Sequence, residues 1–132
     1  MGISGYVFNP AGGQGAGSYY QPVTSSPLQA GEWIHYLLII NTKATSTQYP
    51  TGYTKLYVHR KNNDGAISTF TDQDALIDYA IVPVAGNTPL RIGTKNFSSW
   101  FRGAIGKVAV YNYELSAAQS LAHAKKMFPG GG

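Results

Sequence analysis

Six carboxylates make up the acidic inventory of this 132-residue chain: Glu32, Asp64, Asp72, Asp74, Asp78 and Glu114. Glycoside hydrolysis needs two carboxyl groups held about 5 to 9 Å apart around the bond to be cut. Asp72 and Asp74 would share a face if their segment were extended, although TDQDALID reads equally well as a solvated turn. Clustered carboxylates of this kind suit a hard cation better than acid–base work, which makes Asp72 and Asp74 candidate calcium ligands, with ordinary loop carboxylates as the alternative. The segment lacks the sixth-position glycine and twelfth-position glutamate of a helix–loop–helix calcium loop. No cysteine is present and no Gly-x-Ser-x-Gly string occurs, so the nucleophiles of acyl transfer are missing. The chain is therefore expected not to be an enzyme, and no cofactor other than calcium is implied.

The aromatic residues offer a different chemistry. Charged residues are 12% of the chain, against about 25% in an ordinary soluble domain, while tyrosines number ten. Tyr19, Tyr20, Tyr49, Tyr53 and the Trp100-Phe101 pair fall in or beside predicted loops, where rings can face outward. Sugars stack their C–H faces on such rings while amide or guanidinium groups fix the hydroxyls. Asn96 and Arg102 stand near the aromatic residues, which gives a candidate ligand set of Tyr19, Tyr20, Tyr49, Tyr53, Asn96, Trp100 and Arg102. The competing reading puts Trp100 or Phe101 in the core beneath the FSSWFRG turn. The ten basic residues are dispersed and adjacent only at Arg60-Lys61 and Lys125-Lys126, a poor footprint for nucleic acid.

These residues must be held by short strands. Gly5 to Phe8 and Tyr19 to Val23 read as strands flanking a glycine-rich loop over 11–18. In GEWIHYLLIINT both faces are apolar, which predicts a central strand with His35 neutral and hydrogen-bonded inside; a ligand role at the rim is the alternative. TKLYVHR alternates, with Leu56 and Val58 inward and Lys55, Tyr57 and His59 outward, and Asn62-Asn63-Asp64-Gly65 turns it into AISTF. LIDYAIVPV, TPLRIG and GAIGKVAVYN supply three more strands. Ser116 with Gln119 forms a capping box that opens a helix over 116–128, whose Ala117, Leu121, Ala124 and Phe128 line one face and which Pro129 stops. Its expected job is to plug an open end of the sandwich, with partner binding as the alternative. The whole reads as a single all-β domain over 1–132, an antiparallel β-sandwich with one short C-terminal α-helix.

The strings TPLRIG, FRGAIGKVAVYNYELSAAQ, GEWIHY and KLYVHRKNNDG, in that family's order from Gly31 to about Lys126, resemble laminin-G-like domains. These are concanavalin A-like, pentraxin-like jelly rolls. The resemblance implies structural roles for Gly31, Trp33, His35, Gly93, Gly103, Tyr111 and Ser116, and a rim that binds calcium in many relatives. The Glu-x-Asp-x-x-Glu strand of related glucanases is absent. Relatives carry several strands ahead of the Gly-x-Trp-x-His segment, whereas 30 residues precede Gly31 here, so the sandwich is either short or completed by another subunit. The expected function is a non-catalytic, lectin-like carbohydrate-binding module. A virion structural protein, such as a phage decoration or tail adhesion component, is the alternative. The expected partners are a glycan or a protein surface, with self-association. No signal peptide and no membrane span can be read in the sequence, and an extracellular or virion-surface location is favoured.

Overall fold

A computed structural model describes residues 3–8, 15–62, 64–75, 87, 89–95, 97 and 99–128. Among the described residues the chain is mostly β: a two-stranded and a three-stranded antiparallel sheet hold five strands, two further short strands pair with each other, and there is one short helix. Strands β1 (Ile3–Phe8) and β2 (Gly15–Tyr20) form a hairpin in which Ile3 faces Tyr20. Strands β3 (Ile34–Asn41), β4 (Tyr53–Lys61) and β5 (Ile67–Ala75) form the second sheet in the order β3-β4-β5. Its register sets Leu38 against Leu56 and His35 against His59, and then Val58 against Phe70. Two short strands, β6 (Thr94–Lys95) and β7 (Ser99–Trp100), pair with each other, and α1 spans Ala117–Met127. Among the described residues no helix is long and apolar enough to cross a membrane.

The local chemistry accounts for the turns. Asn62 and Gly65 close the β4–β5 connection, with the Gly65 N–H donating to the Asn62 carbonyl at 2.9 Å and Asp64 Oδ1 accepting from the Ala66 N–H at 2.9 Å. Gly65 takes φ 85°, a conformation that an L side chain resists. Gly52 at φ 103° brings β4 so close to β3 that a Cβ there would overlap the Asn41 carbonyl.

The three-stranded sheet is covered on both faces. On one, the β1–β2 hairpin packs Tyr20 against Leu56 and Val58, and the Ser18 hydroxyl bonds the Thr54 carbonyl at 3.0 Å. On the other, Ile39, Tyr53 and Tyr57 cluster with Leu37 and Tyr49, and α1 lies over β3 and β4. Burying an apolar side chain such as Leu56, wholly screened from solvent, is worth about 1.5–3 kcal/mol. The helix start is as the sequence predicts: the Ser116 hydroxyl accepts from the Gln119 N–H at 3.3 Å, while the Ser116 N–H donates to Gln119 Oε1 at 2.8 Å.

Several expectations need correction. The central strand is β4 and not β3: Tyr57 and His59, expected to point outward, are buried because α1 covers the face they occupy. β3 is an edge among the described residues. Residues 15–18, expected in a glycine-rich loop, belong to β2, which ends at Tyr20 because Pro22 cannot donate to a ladder. Residues 89–93 of TPLRIG are not a strand, and pairing begins at Thr94; Thr88 lies outside the described residues. GAIGKVAVYN pairs with nothing among the described residues and is solvent-exposed from end to end. The LIDYAIVPV strand lies outside the described residues.

Candidate functional site

The turn at Ser25-Ser26-Pro27 and the left-handed Gly31 (φ 83°) bend the chain before β3 so that Glu32 and Trp33 reach the end of β4. There Arg60 meets them. Its Nε donates to Glu32 Oε1 at 2.5 Å and its Nη2 to Glu32 Oε2 at 3.1 Å, a two-pronged pairing that suits the planar guanidinium. The same side chain donates to the Tyr20 hydroxyl at 3.1 Å and to the Ser26 and Pro27 carbonyls at 2.9 and 3.1 Å. Partial burial pushes the Glu32 carboxyl up, but the Arg60 hydrogen bond and the Gln29 N–H outweigh it, so its pKa falls below the usual carboxylate value. The bond from Glu32 holds Arg60 above its ordinary value in turn. Both partners remain charged across the physiological range.

Above this pair opens a cleft of about 680 Å³, lined by Ser25, Gln29, Glu32, Trp33, Asn62 and Phe128 among others. Trp33 stands at its wall with 43% of its surface exposed. A second hollow of about 270 Å³, lined by Tyr20, Val58 and Phe70, shares Ser26 and Arg60 with the first. The arrangement couples one large aromatic surface to carboxylate, amide and hydroxyl groups that already have fixed positions. What it can do chemically is stack a flat apolar face and bond hydroxyls beside it.

The sequence-predicted ligand residues do not converge. Tyr20 is buried against Phe70, ring centroids 4.8 Å apart, and Tyr53 is buried in β4 with its hydroxyl donating to Glu114. Both were expected in outward-facing loop positions, and the correction has one cause: each ends or begins a strand whose inward face the core requires. Tyr49 packs edge-on against Tyr53 at 5.2 Å. Tyr19 keeps its ring exposed on β2. Trp100 and Phe101 are both well exposed, which overturns the expectation that one enters the core. Phe97, at φ 57°, and Trp100 lie 6.2 Å apart, and the Arg91 guanidinium sits 4.8 Å above the Phe97 ring. Arg102 is exposed beside them in sequence, and Asn96 lies outside the described residues.

Asp72 and Asp74 do share a face of β5. Asp72 Oδ2 accepts the Tyr19 backbone N–H at 2.7 Å, and burial together with the Asp72 charge raises the pKa of Asp74. Among the described residues no group of three histidine, cysteine or acidic side chains is placed to hold a metal ion, and two carboxylates alone do not make a calcium cage. Asp78 lies outside the described residues.

Of the residues given structural roles, Ser116 caps α1, Tyr111 packs on His123 at 5.9 Å, and Gly31 and Gly93 take positive φ. Gly103 abuts the Phe101 ring. His35 is half-buried with its ring 5.3 Å from His59, and its Nδ1 has no hydrogen-bond partner among the described residues, contrary to the expected hydrogen-bonded state. Burial, then the neighbouring His59 and His123, lowers its pKa to about 4. Trp33, read from the sequence as part of the strand framework, precedes β3 and turns outward instead. The cleft was missed because Glu32 and Arg60 are 28 positions apart and nothing in their spacing announces a pair.

No protein-family model matches the chain, and neither a curated protein nor a solved structure is significantly similar to it.

Proposed function

We propose that this chain is a non-catalytic carbohydrate-binding module on a shortened laminin-G-like jelly roll, and that its ligand lies in the Trp33 cleft. One observation carries the reading: a half-exposed indole forms the wall of a cleft whose polar groups are already locked by the Glu32–Arg60 pair. Pre-organised polar groups beside an aromatic platform are what a sugar needs, since the site loses little side-chain freedom on binding. The Trp100 loop, with its exposed Phe97 and Phe101, is the second surface able to stack a sugar ring.

A glycan array probed with the full chain is the test, followed by titration of the best ligand against the Trp33→Ala variant. The expected result is retention of a defined glycan class and a loss of affinity of at least tenfold in the variant. Absence of retention on every glycan removes the reading. Undiminished affinity in Trp33→Ala, with loss in Trp100→Ala, moves the site to the other aromatic loop.

The virion-assembly reading is favoured by a different observation. The apolar segment 104–111 is exposed throughout, a costly surface for a chain that works alone. Binding to intact particles, measured by co-sedimentation, separates the two readings.

A further inference from the structure

Two halves of a β-ladder stand open in this molecule. β3 carries no charged residue and no proline from Ile34 to Asn41, yet it is the edge of its sheet among the described residues. Edge strands are ordinarily blunted by charge, proline or a bulge. Tyr36 and Ile40 remain 38% and 44% exposed along it. The second half is AIGKVAVY at 104–111, with β-branched residues suited to a strand and one charge, Lys107. Val108 and Val110 are 52% and 81% exposed, and the backbone finds no ladder partner among the described residues.

The segment is tethered near both of its ends within its own chain. Gly106 lies against the Trp33 ring, and Tyr111 packs on His123 of α1. Held there, it makes no backbone pairing with its own β3, and it presents its valines outward.

We propose that residues 104–111 pair with the edge of β3, unpaired among the described residues, in a second copy of this chain, giving a two-fold dimer through two equivalent contacts. A two-fold axis repeats the contact, so one complementary pair of surfaces closes the assembly without leaving an edge. The exposed parts of Ile105, Val108, Val110, Tyr36 and Ile40, counted over both contacts with their backbone, amount to on the order of 1,000 Å², about the lower limit of a specific interface. Residues 34–41 hold no lysine or arginine that would repel Lys107 on approach. The inference does not rest on the glycan reading.

Sedimentation equilibrium of the full chain over a wide concentration range is expected to give twice the chain mass. Joint Val108→Lys and Val110→Lys substitution, at positions too exposed to disturb the fold, is expected to weaken association at least tenfold with an unchanged circular dichroism spectrum. Because the chain has no cysteine, one carrying Val110→Cys can be mixed with a differently tagged one carrying Tyr36→Cys or Ile40→Cys. Oxidation is expected to give the mixed disulfide. A single-chain mass at every concentration overturns the proposal, as does a dimer indifferent to the lysines. So does a disulfide that forms within one chain carrying both cysteines at high dilution, or one that joins only β3 to β3.

Discussion

All five N–H donors of Arg60 are committed, two to Glu32 and one each to Tyr20, Ser26 and Pro27. One side chain thus ties the end of β4 to β2 and to the loop that enters β3, and it is saturated before any ligand arrives. Its role in the cleft is to position Glu32. Arg60→Ala is expected to cost about 3 kcal/mol, since Glu32 would stay partly buried without its partner. Arg60→Lys should recover little of this, because an ammonium cannot reproduce the fork. Urea unfolding of the three proteins checks both statements, and full recovery by lysine would show that charge alone sufficed. Sequence reading found Arg60 only as half of a basic dipeptide, because its partners are distant in the chain. It misplaced Trp33 for another reason: the strand starts at Ile34, and the ring just before that start is free to turn outward.

At the scale of elements, legibility follows the reach of the signal. α1 was readable at its start because its cap Ser116 and partner Gln119 are local, although the face it buries runs through Ser120, Ala124 and Phe128 and leaves Ala117, expected on that face, exposed; the β4–β5 hairpin was readable because Asp64-Gly65 is a local turn signal. GAIGKVAVYN was misread for the complementary reason. Its composition states that it can be a strand, but pairing is a property of two segments, and the second is not found in this chain among the described residues. The same blindness exchanged the places of β3 and β4. Both have apolar faces, and only the neighbours on each side decide which is central. A local signal also gives a local prediction. Ser116→Ala should lower stability by about 1 kcal/mol and reduce the helical dichroism at 222 nm, whereas Ser116→Asp should retain most of both. An alanine variant as stable as the parent would mean that Leu115 and Phe128, both buried, hold the helix without its cap.

For the whole molecule, the layer between the sheet and α1 contains a group that responds to acid. His35 and His59 face each other there, and His59 is enclosed, with Nδ1 2.8 Å from Thr69 Oγ1 and Nε2 2.8 Å from Ser120 Oγ. Burial lowers the pKa of both rings, that of His35 to about 4, with His59 and His123 adding repulsion for His35. A histidine whose folded pKa is depressed is neutral in the native state and takes up a proton on unfolding, so stability rises with pH between the two values. The contribution is therefore complete above pH 6.5 and is lost as the pH falls from 6.5 toward 4. A depression of this size is worth about 1–2 kcal/mol for His35 once its partial solvent access is allowed for. Glu32, whose pKa is lowered, loses its contribution only below the usual carboxylate value, and Asp74, whose pKa is raised by burial and the Asp72 charge, acts with the opposite sign. The urea midpoint is expected to drop between pH 7 and pH 5, and His35→Leu is expected to flatten that slope while keeping the structure. A midpoint that does not move across this interval in the parent protein would mean that both rings are reached by water and that α1 does not seal the sheet.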